Sequence, residues 1–220
     1  MRWIVRTGRV ACVVVLCAAT ATPAGIRDKS YEVGVYGGIE KGDPRTDVST
    51  GGAFGFRAGY AFTKKIMAEL AVDAFSSDRT LTVFLGDPAF PPKQIPVQAN
   101  PTADFISYTL GLGANFLVDR DIKTKPYFNV NIGLITEDRG MSDFSFQFVP
   151  GDPNTIVGGV ILASKDTSTI LTVGAGARTF FTDTIGIRYE VKYIHHDSFG
   201  DNQDGLQASV GATFVIGGKK

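Results

Sequence analysis

The chain has 220 residues, enough for one domain with a sizeable core, and carries 22 basic against 22 acidic residues. That balance lacks the basic footprint of a nucleic-acid binder, and no nucleic acid is expected as a partner. Both cysteines, Cys12 and Cys17, lie near the start, so the segment that follows them holds no disulfide, thiolate site or thiol nucleophile.

The first segment reads as a secretory signal peptide over residues 1–24. Arg2, Arg6 and Arg9 give a positive start, Val10 to Leu16 is an uncharged apolar run, and Ala18 to Ala24 supplies small residues for cleavage after Ala24. The apolar run is shorter than the ~20 residues a spanning helix needs. Leu16 before Cys17 fits poorly with a lipidated cysteine. The remainder, 25–220, reads as one barrel domain. Loss of the three arginines leaves 19 basic residues against 22 acidic ones, a net charge of −3.

Eight segments with a period of two follow. The first, about 30–40, sets Tyr31, Val33, Val35 and Ile39 on one face and Glu32, Gly34, Tyr36, Gly38 and Glu40 on the other. The second, about 51–62, sets Phe54, Phe56, Ala58, Tyr60 and Phe62 against Gly55, Arg57 and Gly59. The third, about 65–76, sets Ile66, Ala68, Leu70, Val72 and Ala74 against Glu69, Ala71 and Asp73. The fourth, about 104–118, opposes Ile106, Tyr108, Leu110, Leu112, Ala114 and Phe116 to Ser107, Thr109, Gly111, Gly113 and Asn115.

The fifth, about 125–137, opposes Phe128, Val130, Ile132 and Leu134 to Asn129, Asn131 and Gly133. The sixth, about 167–181, opposes Leu171, Val173, Ala175, Ala177 and Phe181 to Thr172, Gly174, Gly176 and Arg178. The seventh, about 184–195, opposes Ile185, Ile187, Tyr189, Val191 and Tyr193 to Gly186, Arg188, Glu190 and Lys192. The eighth, about 204–216, opposes Leu206, Ala208, Val210, Ala212, Phe214 and Ile216 to Gln207, Ser209, Gly211 and Thr213. Each has the ~9–11 residues of a tilted membrane-crossing strand or is a little longer.

Connections alternate in length. Thr63-Lys64, Asp119 to Thr124 and Thr182-Asp183 are short, whereas 41–50, 77–103, 138–166 and 196–203 read as long loops. Short turns on one side and long loops on the other are the pattern of a transmembrane barrel, with both termini in the periplasm. Tyr31, Tyr60, Phe62, Phe116, Phe128, Phe181 and Phe214 all fall on the apolar face near the short-turn ends, as a lipid-interface aromatic belt requires. Pro88, Pro91, Pro92, Pro96 and Pro101 mark the second connection as an extended surface loop, because proline lacks the ladder donor. In the third, Phe144, Phe146 and Phe148 alternate and prolong a hairpin beyond the membrane.

With these strands in place, the chain resembles the OmpA/OmpX-type eight-stranded outer-membrane barrels over residues 30–216. The most specific piece is the closing strand with Val210-Gly211-Ala212-Thr213-Phe214. The resemblance implies an all-β, eight-stranded antiparallel up-and-down transmembrane β-barrel, monomeric and porin-like in wall architecture. It implies an outer-membrane location, lipid and lipopolysaccharide around the wall, and delivery by the barrel assembly machinery, which reads the terminal strand.

The polar faces assign an interior salt-bridge network to Glu32, Arg57, Glu69, Asp73, Glu137, Arg178, Arg188, Glu190 and Lys192, with Glu40 also inward. An unpaired buried ion is costly, so these charges are expected to pair rather than to line an ion path. The inward glycines make room for the long side chains, or else for a small ligand.

His195 and His196 are the only histidines. His196-Asp197-Ser198 places an imidazole two residues from a hydroxyl, a low-ranking catalytic pair (His196, Ser198) similar to the His-x-Ser of outer-membrane lipid A deacylases. Phe199 stands where that family has Asn, and Asp201 and Asp204 are expected in a loop. Asp197, Asp201, Asn202 and Asp204 are oxygen-rich without calcium-loop spacing. The expectation is no catalysis, no metal and no cofactor. The role is structural or surface-binding through the long loops, toward an extracellular ligand or host surface. A lipid A-modifying enzyme, a small pore and a soluble lipocalin-like ligand binder are the rivals.

Overall fold

A computed structural model describes residues 25–42, 48–78, 81–86, 94–99, 101–119, 122–147, 156–198 and 201–219. The signal-peptide reading of residues 1–24 lies outside them. The described residues form twelve strands, in chain order β1 (Asp28–Lys41), β2 (Thr50–Ala61), β3 (Ile66–Asp78), β4 (Leu81–Gly86), β5 (Gln94–Ala99) and β6 (Thr102–Asn115). The second half contributes β7 (Thr124–Arg139), β8 (Ser142–Gln147), β9 (Ile156–Ile161), β10 (Ser164–Phe180), β11 (Ile185–Ser198) and β12 (Asp201–Lys219).

Eight of these close into an antiparallel barrel in the order β1-β12-β11-β10-β7-β6-β3-β2. Closure follows from the register of the first and last strands: Val33 opposes Phe214 and Ile39 opposes Ala208. A closed ladder leaves no sheet edge, which is the condition for crossing hydrocarbon with strands. No helix among the described residues is long and apolar enough to cross a membrane.

The period of two fixes which side of the wall each residue occupies. Val35, Phe54, Leu70, Leu110, Ile132, Val191 and Val210 are exposed on the outside, whereas Glu32, Arg57, Glu69, Arg178, Arg188 and Glu190 are buried inside. This inverts a water-soluble protein, and large contiguous apolar surface of this kind is a lipid-facing band.

Two of the short turns share a device. Thr63 Oγ1 accepts the backbone N–H of Ile66 at 3.1 Å, and Thr182 Oγ1 accepts that of Ile185 at 2.9 Å. Each threonine substitutes for a backbone acceptor and lets the chain reverse between β2 and β3 and between β10 and β11.

The opposite end departs from expectation in two places. The stretch 196–203 is not a long loop: Ser198 opposes Asp201, so β11 and β12 meet in a tight hairpin, with Asp201 and Asp204 on β12. The polar residues there are strand residues standing above the lipid, where neither face needs to be apolar. The proline-rich connection is not wholly extended either, since β4 and β5 pair, with Phe84 opposite Pro96. In a two-stranded sheet every strand is an edge, so a proline whose missing N–H would point outward is tolerated. Phe144 and Phe146 lie on β8, which pairs with β9; Phe148 lies outside the described residues. Both small hairpins are sheets separate from the barrel.

Candidate functional site

The barrel interior is stacked in layers. At the turn end, Ile26, Ala61, Met67, Phe180 and Val215 form an apolar plug. Ile26 precedes β1, so the approach of the chain to its first strand helps stopper this mouth.

Next comes an ionic layer. Arg178 Nε lies 2.8 Å from Glu32 Oε1, and its Nη1 donates to Asn115 Oδ1 at 2.8 Å. Arg188 bridges Glu69 at 2.5 Å and Glu190 at 2.6 Å, and Arg57 reaches Glu190 at 2.8 Å and Glu69 at 3.3 Å. Tyr127 is the centre of this set. Its hydroxyl donates to Glu190 and accepts from Arg188 Nε at 2.6 Å. Its ring lies 4.0 Å beneath the Arg178 guanidinium and 4.2 Å beneath that of Arg188. Arg57 stacks at 4.2 Å on Tyr36, whose hydroxyl donates to Asp73.

Three guanidiniums and three carboxylates are thus desolvated together. Shared multidentate hydrogen bonds offset the desolvation that would make an isolated ion prohibitive. Glycines create the space. A Cβ on Gly176 would fall 2.1 Å from the Tyr189 carbonyl and 2.7 Å from the Tyr127 hydroxyl, so this backbone must approach closely and bare.

Above the ionic layer the chemistry becomes mixed. Lys192 pairs with Asp73 at 2.8 Å, Gln207 donates to Glu40 at 3.0 Å, and Asn131 donates to Thr172 at 3.1 Å. At the hairpin end a second apolar plug closes the interior: Val48, Ala53, Phe75, Ala103, Phe105, Ile135, Ile170 and Ile194. Phe75 and Phe105 stack at 5.3 Å. Glu137 lies beside this plug, 2.7 Å from Arg139 Nε.

Four contributors were not singled out from the sequence: Lys125, Arg139, Tyr127 and the apolar plug residues. Lys125 is buried and donates to the carbonyls of Leu117 and Val118 at 3.2 and 3.4 Å. Lys125 and Arg139 add two inward bases to Arg57, Arg178, Arg188 and Lys192. Continuing the period of two below Asn129 finds Tyr127 at the first step and Lys125 at the second.

The ring residues form a collar outside the turn end. Tyr31 and Tyr60 have centroids 5.0 Å apart, and Tyr60 meets Phe62 edge-on at 5.2 Å. Phe62, Phe116, Phe128, Phe181 and Phe214 are likewise exposed on the outer face.

The histidines occupy opposite sides of β11. His196 is buried and faces inward, its Nδ1 3.2 Å from the Asp197 carbonyl and its ring 6.1 Å from that of Phe105. His195 faces outward, its Nδ1 2.8 Å from Asp204, which also accepts the Tyr193 hydroxyl at 2.5 Å. The carboxylate therefore orients His195, not the His196 that precedes Ser198 by two. The Ser198 side chain lies outside the described residues. A lipid ester approaches from outside the wall, and His196 points away from it. Asp197, Asn202 and Asp204 do not converge: among the described residues no group of three His, Cys, Asp or Glu side chains suits a metal ion.

The interior offers little free space. The cavity bounded by Tyr36, Arg57, Arg188, Glu190, Ser209 and Thr213 has room for roughly one water molecule.

Three solved structures are similar to this chain to differing degrees. Neisserial surface protein A is 14% identical, with 85% of this chain and 99% of that chain covered and a TM-score of 0.54. OprG of Pseudomonas aeruginosa is 9% identical, with 87% and 98% covered and a TM-score of 0.49. The N-terminal β-barrel domain of OprF from Pseudomonas aeruginosa is 14% identical, with 87% and 100% covered and a TM-score of 0.45. The first of these likenesses concerns the fold alone. Comparison with curated protein sequences finds no match. The family model for the outer membrane protein beta-barrel domain matches residues 10–214, and the chain, an eight-stranded barrel with an apolar outside and an ionic inside, belongs to that family.

Proposed function

We propose that this protein is a closed outer-membrane scaffold without catalytic activity, and that it works by holding the hairpins β4–β5 and β8–β9 at the cell surface. The observation that carries this reading is the filled interior. Two apolar plugs bracket a layer in which each of the three guanidiniums is ion-paired to a carboxylate. An ion crossing such a barrel would have to break that layer and pass both plugs, each step unfavourable by several kcal/mol. The features left free to act are therefore outside the wall and beyond its rim.

In this reading residues 1–24 are removed on export and the short turns and both termini face the periplasm. Lipid and lipopolysaccharide contact the apolar band, with the belt of Tyr31, Tyr60, Phe62, Phe116, Phe128, Phe181 and Phe214 at the periplasmic interface. The barrel assembly machinery inserts the chain by its last strand. The hairpins meet an extracellular ligand or host surface, as exposed connections on rigid barrels commonly do.

Two measurements test it. An epitope inserted after Pro91 is expected to be labelled on intact cells, and labelling only after lysis would reverse the orientation. The purified chain is expected to give no conductance steps in planar bilayers; steady unitary currents would replace the scaffold reading with a pore.

A further inference from the structure

The plug at the hairpin end contains one titratable ring. His196 lies past Tyr193, the last apolar outward residue of β11, and so beyond the lipid band. It is 7% exposed and packs against the Phe105 edge, with Ile170 opposite on β10 and Gln203 opposite on β12. The plug is also the floor of the surface structures. Val48 joins it directly after the first connection, and Ala103 and Phe105 begin the descent from β5 into β6. Ser49 ties the same connection to β3, its N–H donating to the Asp78 carbonyl at 3.0 Å and its hydroxyl 2.9 Å from that of Ser77.

We propose that this plug is an acid-sensitive floor: protonation of His196 places a cation against Phe105 and Ile170 and loosens the anchorage of Val48 and the root of β6, while the ionic layer beneath stays closed.

The charges around the ring decide the sign. From β7 it is faced by Glu137, which is already held by Arg139 at 2.7 Å. From β10 the inward ionisable group is Asp166, higher on the strand. β6 presents Phe105, and the β12 partner Gln203 is neutral. On its own strand, Lys192 is bound to Asp73, His195 points outward to Asp204, and Asp197 offers its carbonyl. Burial is the largest influence and pushes the His196 pKa below the ordinary histidine value of 6.5; the Asp197 carbonyl and Glu137 act the other way without reversing it. A histidine with a depressed native pKa leaves the folded floor fully stable above the unfolded value. That stability is lost progressively as pH falls below about 6.5 toward the native value.

The test is amide hydrogen exchange on the full chain in phospholipid nanodiscs at about pH 7.5 and about pH 5, corrected for intrinsic exchange. Protection of 48–50, 102–106 and 194–197 is expected to fall about tenfold at the lower pH, with 67–72 and 186–192 unchanged. His196→Phe, which keeps an aromatic ring against Phe105 but cannot titrate, is expected to abolish the response. Unchanged protection in the wild type, or an undiminished acid response in the variant, overturns the proposal. Should His196→Phe not insert, a ring-proton titration of wild-type His196 decides: a midpoint at or above the ordinary value refutes it and one well below supports it.

Discussion

Around Tyr127 the barrel interior holds Arg57, Arg178 and Arg188 against Glu32, Glu69 and Glu190; further along the same strands, around Phe105, it holds Phe75, Ile135, Ile170 and Ile194. Both regions lie on inward positions of one alternating pattern, yet they use opposite chemistry. The ionic region is bordered by hydrocarbon outside the wall. There, inward polar groups find partners only among themselves, and pairing must be complete. The apolar region lies level with the last outward apolar residues Phe54, Ile106, Leu134 and Leu171, at the hairpin mouth of the barrel, where dry packing separates the ionic layer from the aqueous side. Depth along the barrel governs the content of an inward position as much as the face it occupies.

The comparison breaks most readily at Arg188. Arg188→Met leaves Glu69 and Glu190 each short of a guanidinium, with an expected loss of about 3–5 kcal/mol. Urea unfolding from lipid vesicles reads it, and a loss below about 1 kcal/mol would mean the layer is wetter than its burial implies. In the apolar region Phe105→Ala is expected to cost about 3 kcal/mol by the same measurement and to expose the hairpin end to protease before the wall. The mirror experiment places a charge outside: Leu110→Arg, facing lipid, is expected to cost about 2–3 kcal/mol at mid-membrane. Insensitivity at Leu110 would argue that this face is not in hydrocarbon. The smallest effect is reserved for the rim. Lys65 and Asp119 approach to 3.8 Å but are largely exposed, so Lys65→Ala should change stability by less than about 0.5 kcal/mol.

The wall was legible because two different solvents imprint a period of two. Glu32, Arg57, Glu69, Arg178 and Arg188 fall inward by parity alone, and eight such runs with short turns specify a closed barrel. Pairing was not legible. Parity cannot say that Arg57 reaches across to Glu190 or that Tyr127 lies under two arginines, because those contacts join strands distant in sequence. The hairpin end was misread for another reason. Beyond the lipid both faces of a strand meet polar surroundings, so the alternation that announces β11 fades at His196, and Asp197, Ser198 and Asp201 to Asp204 read as loop although they are ladder. The same fading, with Pro96, hid β5.

The plugs leave a mark in the sequence. Wherever the inside changes from polar to apolar while the outside is still in lipid, two apolar residues become adjacent: Ala53-Phe54, Ala74-Phe75, Phe105-Ile106, Leu134-Ile135, Ile170-Leu171 and Tyr193-Ile194 at one end. Ala61-Phe62, Ile66-Met67, Phe180-Phe181 and Phe214-Val215 do so at the other. These doublets act as a ruler. From Ala53 to Ala61, or from Ile170 to Phe180, a strand tilted by about 40° rises roughly 20–25 Å. The chain thereby records the thickness of hydrocarbon it is built to cross, that of a thin bilayer. In a thicker one, acyl chains would be drawn against Thr136, Thr167 and Asp104, and the strain would fall on the bilayer rather than on the wall.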